Sequence, residues 1–255
     1  MNLDLDFWYK RYQQQAGWSL QTRRYIFERI GLQKSARILE VGYGTGALTE
    51  TLIADEYANQ YGLDINLQAL AFQSVSNQLI QGNAFHLPFS AESFDLVICH
   101  FLLLWLKDPA SALAEMKRVV KKNSWIIALG EPDYGGRIDY PDELETLGKL
   151  QTESLKRQGA EPLTGRKLLD FFHQAGLADV HSGIISAEWG WDSDQDEDDL
   201  EWEVLRKDLA NTISDREFEH YRAIDNQARQ DGSRIRFVPL FYAYGKRFPH
   251  NGLMV

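Results

Sequence analysis

Residues Ile38-Leu39-Glu40-Val41-Gly42-Tyr43-Gly44-Thr45-Gly46 decide how this chain is read. An apolar run ends in three glycines spaced two apart, and the helix-period segment Ala47–Ala54 follows at once. A strand that enters a helix through glycines lets the backbone approach a ligand closely and aims free N–H groups at it. A nucleotide-type cofactor is implied. Two cofactor classes use such a turn, because Gly42, Gly44 and Ala47 also stand in the G-x-G-x-x-G/A positions of a dinucleotide fingerprint.

Working outward, short apolar runs alternate with helix-period segments, the pattern of a parallel sheet with crossover helices. The predicted strands are Ala36–Val41, Gln60–Asp64, Asn77–Gly82, Phe94–Cys99 and Trp125–Gly130. The helices between them are Ala47–Ala54, Leu67–Ser74 and Pro109–Val119, the last capped by Asp108 with Pro109 at its first position. Ser19–Ile30 reads as a helix ahead of the sheet. After the fifth strand come a loop, Glu131–Tyr140, a helix near Asp142–Gln158 and another between Thr164 and Gly176. Val180–Trp191 then reads as a strand, Asp194–Gln230 as polar helices and Ile235–Tyr244 as one final aromatic strand. The expectation is one domain with helical additions at the N-terminus and before the last strand.

Strand two ends in Gly62-Leu63-Asp64-Ile65-Asn66, which puts an acid 22 residues after Gly42, where a ribose diol finds its acceptor. That suits both cofactor classes. Two features separate them: Glu40, two positions before the first glycine, and Gly82-Asn83-Ala84-Phe85-His86-Leu87-Pro88-Phe89 after strand three.

Between about residues 35 and 131 the chain resembles the class I S-adenosylmethionine-dependent methyltransferases, in particular the small-molecule enzymes that include the ubiquinone-biosynthesis C-methyltransferases. The resemblance rests on E-x-G-x-G-x-G at Glu40–Gly46, the acidic end of strand two and G-[DN]-A-x-x-L-P-F at Gly82–Phe89. It extends to Ser93-Phe94-Asp95-Leu96-Val97 and to Asp108-Pro109 with Leu113, Met116, Arg118 and Val119. It implies an α/β, Rossmann-like fold with a seven-stranded mixed sheet, an antiparallel last strand and helices on both faces. It also implies S-adenosyl-L-methionine as cofactor and a small-molecule methyl acceptor. Gly42, Tyr43, Gly44 and Gly46 would wrap the methionine part and Glu40 would help hold it. Asp64, with Ile65 beside it, would take the ribose hydroxyls, and Asn83 with the Ala84 N–H would read the adenine edge. Asn83 stands where the family more often has Asp; an amide oxygen accepts the adenine amino hydrogen as a carboxylate does. Tyr43 is bulkier than the usual residue in the turn, and either crowds the methionine or forms a wall of the substrate site. The segments implied are a cap over 1–34, a cofactor-binding core over 35–131, and substrate-side helices with the last strand over 132–255, including an insertion near 194–230.

Methyl transfer from a sulfonium is an in-line displacement in which positive charge disappears, so positioning and desolvation of the nucleophile contribute most. A base is needed only where the nucleophile must lose a proton. His100 follows strand four at the carboxyl edge and is the candidate for orienting the cofactor or acting as base; a histidine hydrogen-bonded at a strand end reads equally well. His86 is a weaker candidate. Tyr134 and Arg137, in the glycine-containing loop after strand five, are the substrate candidates, Arg137 as a carboxylate partner. Phe7, Trp8, Tyr9, Tyr12 and Trp18 either pack or close over the site. Cys99 reads as a small buried hydrophobe, and Phe237, Phe241, Tyr242 and Tyr244 as core.

Composition bounds the rest. With 255 residues, 44% of them hydrophobic, the chain can bury a sizeable core. A single cysteine excludes an intrachain disulfide framework and a multi-cysteine metal site, and no metal is expected. Met1–Trp8 lacks a basic and apolar leader pattern, and no apolar run approaches the roughly 20 residues that span a bilayer, so a cytoplasmic setting without membrane insertion is expected. The net charge of −10 argues against broad binding of nucleic acid. Nine acids and no base lie between Glu188 and Glu203, leaving 27 basic against 28 acidic residues elsewhere. That segment reads as a solvated turn and helix start, or, with Trp189, Trp191 and Trp202, as an edge of the acceptor site or a subunit contact that disfavours anionic acceptors. Oligomeric state and acceptor identity stay open. An NAD(P)-dependent oxidoreductase, which would lack an evident Tyr-x-x-x-Lys pair, and a cofactor-binding regulatory protein are the other readings.

Overall fold

The computed structural model of the chain describes residues 4–72, 78–185 and 195–248. It opens with α1, Leu5–Arg29, whose N-cap Asp4 accepts the Phe7 N–H. This helix begins well before the predicted Ser19. There follow β1 Arg37–Val41, α2 Ala47–Ala54, β2 Asn59–Asp64, α3 Leu67–Ala71, β3 Leu79–Gln81, β4 Phe94–His100 and α4 Pro109–Val119. Next come β5 Val120–Pro132, β6 Ile138–Tyr140, α5 Glu145–Arg157, α6 Leu168–Gln174, β7 Ala178–Ile185, α7 Gln195–Leu209, α8 Asp215–Gln230, β8 Ile235–Phe237 and β9 Leu240–Lys246.

Seven strands form one sheet in the order β3-β2-β1-β4-β5-β9-β7. The first five are mutually parallel, and β9 lies antiparallel between β5 and β7. The reversal of strand order between β1 and β4 places a crevice at their carboxyl ends, where open α/β sheets bind ligands. Both faces are covered, so the centres of β1 and β4, Ile38-Leu39 and Leu96–Cys99, are apolar and buried. Val97 and Cys99 face α4 and α6, packing with Leu113, Met116 and Phe172. Leu96 and Ile98 face α1 and α2, packing with Ile26 and Leu52. Burial pushes the Cys99 thiol well above its ordinary pKa, and it is a core residue.

The final strand differs from expectation. Ile235–Tyr244 is two strands: β8 pairs with β6 in a separate two-stranded sheet, and β9 enters the main sheet. Val238-Pro239 divides them, because proline offers no N–H to a ladder; its carbonyl instead accepts the Asp133 N–H at 2.9 Å. The predicted loop after strand five likewise holds β6. The α7–α8 insertion carries its own small core of Leu144, Leu147, Trp202, Leu205, Leu209 and Phe218, with Trp202 Nε1 donating to Asp225 at 3.1 Å. Trp202 is therefore a core residue. Trp189, Trp191, the acids from Glu188 to Asp194 and the end of the predicted Val180–Trp191 strand lie outside the described residues, as do the ends of Leu67–Ser74 and Asn77–Gly82.

Candidate active site

The glycine turn takes the conformation that its residues require. Gly42, Gly44 and Gly46 have φ of +81°, +54° and +89°, in the left-handed region that side chains avoid. A Cβ on Gly42 would stand 2.9 Å from Leu102 Cδ1, so the backbone is also crowded from the loop after β4. Asp64, at the end of β2, ties the turn down: Oδ2 accepts the Gly44 N–H at 2.7 Å and Oδ1 the Asn66 N–H at 2.8 Å. The Tyr43 ring is buried under the turn, where Gly46 and Gly62 both lack the Cβ that would collide with it.

A cavity of about 910 Å³ opens at the carboxyl ends of β1, β2 and β4. Glu40, Gly42, Tyr43, Gly44, Asp64, Ile65 and His100 line it. Over it lie Trp8, Arg11, Tyr12, Gln15 and Trp18, a stripe at helical spacing on one face of α1. The remaining wall comes from the loop after β4, from Tyr134, Arg137 and α5, and from α7 and β8. Asn83, Ala84 and Gly46 are not part of this wall. Asn83 stands exposed after β3, its amide oxygen accepting the Phe85 N–H at 3.0 Å. His86 is exposed in the same segment.

Glu40, His100 and Glu131, at the carboxyl ends of β1, β4 and β5, are strongly perturbed. Burial pushes the Glu40 carboxyl up to about 8, against the pull of the Thr49 hydroxyl bonded to it at 2.6 Å and of nearby Arg23. Burial and Arg23 push His100 down to about 3, so its imidazole is neutral; Nε2 lies 3.1 Å from Ser19 Oγ. Burial raises Glu131 to about 7, opposed by three backbone N–H groups, those of Leu102, Leu103 and Leu104 at 3.0, 2.8 and 3.0 Å.

Sequence reasoning took Glu131 only as a loop start. In the structure it fixes the turn that carries Leu102 over Gly42, and Phe101 in that turn lines the cavity at φ 49°. Gly130 makes room for it: a Cβ there would stand 2.4 Å from Phe101 Cε2. Among the described residues, Arg23, fully buried beside Glu40, has Nε and Nη1 without hydrogen-bond partners and Nη2 3.4 Å from Asp55.

The substrate candidates separate. Tyr134 faces the cavity, its hydroxyl raised to about 12 by burial. Arg137 lines the cavity too, but its guanidinium is spent on Asp139 at 2.5 Å and on Gln151 at 2.6 Å. Gly148 of α5 admits that pair, since a Cβ there would stand 2.6 Å from both Arg137 Nε and Asp139 Oδ2. Glu201 of α7 bonds Arg11; burial raises its carboxyl, but Arg11 and Arg236 outweigh that and hold it at about 2. Asp208 is raised by burial and accepts from Gln151 and Gln158. Among the described residues no group of histidine, cysteine or carboxylate side chains is placed to hold a metal, and no helix is long and apolar enough to cross a membrane.

Residues 39–128 match the family described as Methyltransferase domain. The demethylmenaquinone methyltransferase of Bacillus subtilis (strain 168) is 30% identical over 208 residues, covering 71% of this chain and 88% of that one. An uncharacterized methyltransferase of Schizosaccharomyces pombe, C1B3.06c, is 31% identical over 153 residues, 54% of this chain and 55% of that protein, so the chain spans about half of it. Phosphoethanolamine N-methyltransferase 2 of Haemonchus contortus, solved in complex with S-adenosyl-L-methionine, shares the fold at a TM-score of 0.54 and 12% identity, over 90% of this chain and 53% of that one.

Proposed function

The chain belongs to the class I S-adenosylmethionine-dependent methyltransferases, and from that membership we propose that it transfers a methyl group to a small molecule held in the 910 Å³ cavity. The observation that carries this reading is the convergence on one cavity of the glycine turn, Asp64 and Glu40. The donor set suits the cofactor: crowded left-handed glycines leave backbone room, Asp64 offers a diol acceptor, and Glu40 is an acid that a neighbouring cation would ionise. When bound, S-adenosylmethionine supplies a methyl group activated by a sulfonium.

Gly42 and Gly44 would hold the methionine part, with Glu40 and Tyr43 supporting the turn from beneath. Asp64 and Ile65 would flank the ribose and adenine. Gly46 opens α2 and acts on the shape of the turn. Asn83 and Ala84 would reach the adenine edge from outside the described wall, through the second lone pair of Asn83 Oδ1 and the Ala84 N–H. His100, neutral and bonded to Ser19, would orient ligands; with a pKa near 3 it is a weak proton acceptor. Trp8, Tyr12 and Trp18 on α1 would exclude water. The division into a cap over 1–34, a cofactor core over 35–131 and a substrate side from 132 belongs to the same proposal, as does a cytoplasmic setting.

Titration calorimetry tests it. S-adenosylhomocysteine should bind, Asp64→Ala should weaken that binding at least about tenfold, and NADH should not bind. Binding of NADH alone would return the chain to the oxidoreductase reading.

A further inference from the structure

Among the described residues, the cavity-lining Arg236 feels the charges of Glu201, Asp225, Asp198 and Asp139, yet its guanidinium donors make no hydrogen bond. Arg234 immediately precedes β8 and Arg236 lies within it. Arg234 is consumed: Nε bonds Asp225 at 2.5 Å and Nη2 bonds Asp139 at 3.0 Å, with 6% of the side chain exposed. Arg236 lines the cavity with 23% of its side chain exposed. Among the described residues it makes no hydrogen bond, and its one ion pair is to Glu201 Oε2 at 3.6 Å, too long for a hydrogen bond. The other oxygen of Glu201 is taken by Arg11.

A guanidinium has five donors in a rigid fork matched to a carboxylate, and leaving them unmade in a partly dry site is costly. The Tyr134 hydroxyl is a second donor on this wall, and it too makes no hydrogen bond among the described residues. The same cavity is lined by the apolar side chains of Trp18, Phe101, Leu155 and Leu205, and also by Gln151, Gln158 and Asp208. Arg137, which the sequence suggested for an anion, is already bound to Asp139 and Gln151.

We propose that Arg236 is the anchor for a carboxylate on the methyl acceptor, whose apolar or aromatic body lies against Trp18, Phe101 and Leu155, with the Tyr134 hydroxyl as the second donor. This rests on the reading that the cavity takes the acceptor. It makes Arg236 the residue that sorts acceptors by charge.

The test is calorimetry with 3-phenylpropanoate, its methyl ester and 3-phenylpropylamine, with and without S-adenosylhomocysteine. The carboxylate should bind about tenfold or more tighter than the ester and the amine, the scale of one charge-assisted hydrogen bond. Arg236→Gln should bring carboxylate and ester within about twofold, and Tyr134→Phe should weaken the carboxylate a few-fold, about the worth of one neutral hydrogen bond. No preference in the unsubstituted chain, or an undiminished preference in Arg236→Gln, overturns the proposal. Should Arg236→Gln fail to bind S-adenosylhomocysteine and so report misfolding, Arg236→Lys is read instead. A lysine keeps the charge without the fork, so the preference should shrink, and an unchanged preference overturns the proposal. Binding of S-adenosylhomocysteine by the unsubstituted chain is scored separately, so loss of the cofactor reading and loss of the anion anchor give different results.

Discussion

Glu131 Oε1 accepts the Leu103 N–H at 2.8 Å, and the same carboxylate takes the N–H groups of Leu102 and Leu104. One buried side chain at the end of β5 thus satisfies the start of the turn after β4. Leu102 in that turn crowds Gly42, so the connection runs from β5 through the turn to the cofactor loop.

Glu131→Gln tests that connection. An amide has one acceptor oxygen, and its NH2 would meet a backbone N–H, so the fold should lose about 1–3 kcal/mol. Affinity for S-adenosylhomocysteine should fall several-fold. Chemical denaturation and calorimetry read the two effects, and unchanged values in both would remove Glu131 from the argument.

Gly62→Ala should destabilise by about 1–3 kcal/mol, the usual cost of overpacking. The new methyl would stand 2.3 Å from Tyr43 Cδ2 and 2.7 Å from Leu79 Cδ2. Tyr43→Leu on the Gly62→Ala background should recover part of the loss, and a double-mutant cycle measures the coupling. Additive losses would mean that the Tyr43 ring does not occupy that space.

His100 should not titrate between pH 5 and 8, because burial and Arg23 hold it near 3. Its imidazole resonances, followed by NMR across that range and assigned with His100→Asn, provide the measurement. A midpoint near 6.5 would restore it as a candidate base.

Stability of the ligand-free chain should fall as pH rises from 6 to 8.5. Glu40 and Glu131 are raised by burial to about 8 and about 7, so the folded state holds protons that the unfolded state has released, and the associated stability is lost as pH passes through those values. The expected drop is about 2–4 kcal/mol from urea denaturation. Glu40→Gln should remove half of it or more. A flat profile in the unsubstituted chain would contradict the burial of these acids.

The glycine turn and Asp64 were legible because they act locally: left-handed backbone needs glycine whatever surrounds it, and Asp64 closes the short Gly62-Leu63 segment that ends β2. The parallel core was legible for the same reason, from continuous apolar strands. Partnering across the chain was not. Nothing in Arg137 announces that Gly148 clears space for its bond to Asp139. Arg236 was hidden because Ile235–Tyr244 reads as one aromatic strand; Pro239 was the available signal that it is two. The start of α1 was missed because its early residues are aromatic and polar in a pattern shaped by the cavity it covers.

The bond between Asp64 and Gly44 closes a loop of 20 residues, whereas that between Arg11 and Glu201 closes one of 190. Contacts distant in sequence carry a larger entropic cost of closure and form after local ones have restricted the chain. The half of the cavity built on the glycine turn therefore has a short assembly path, and the half bounded by Arg11 and Glu201 exists only after the insertion has docked against α1. Substitutions that loosen this late docking would erode acceptor selection while the cofactor half stays folded, so the two affinities are separable in the order in which the chain gains and loses them.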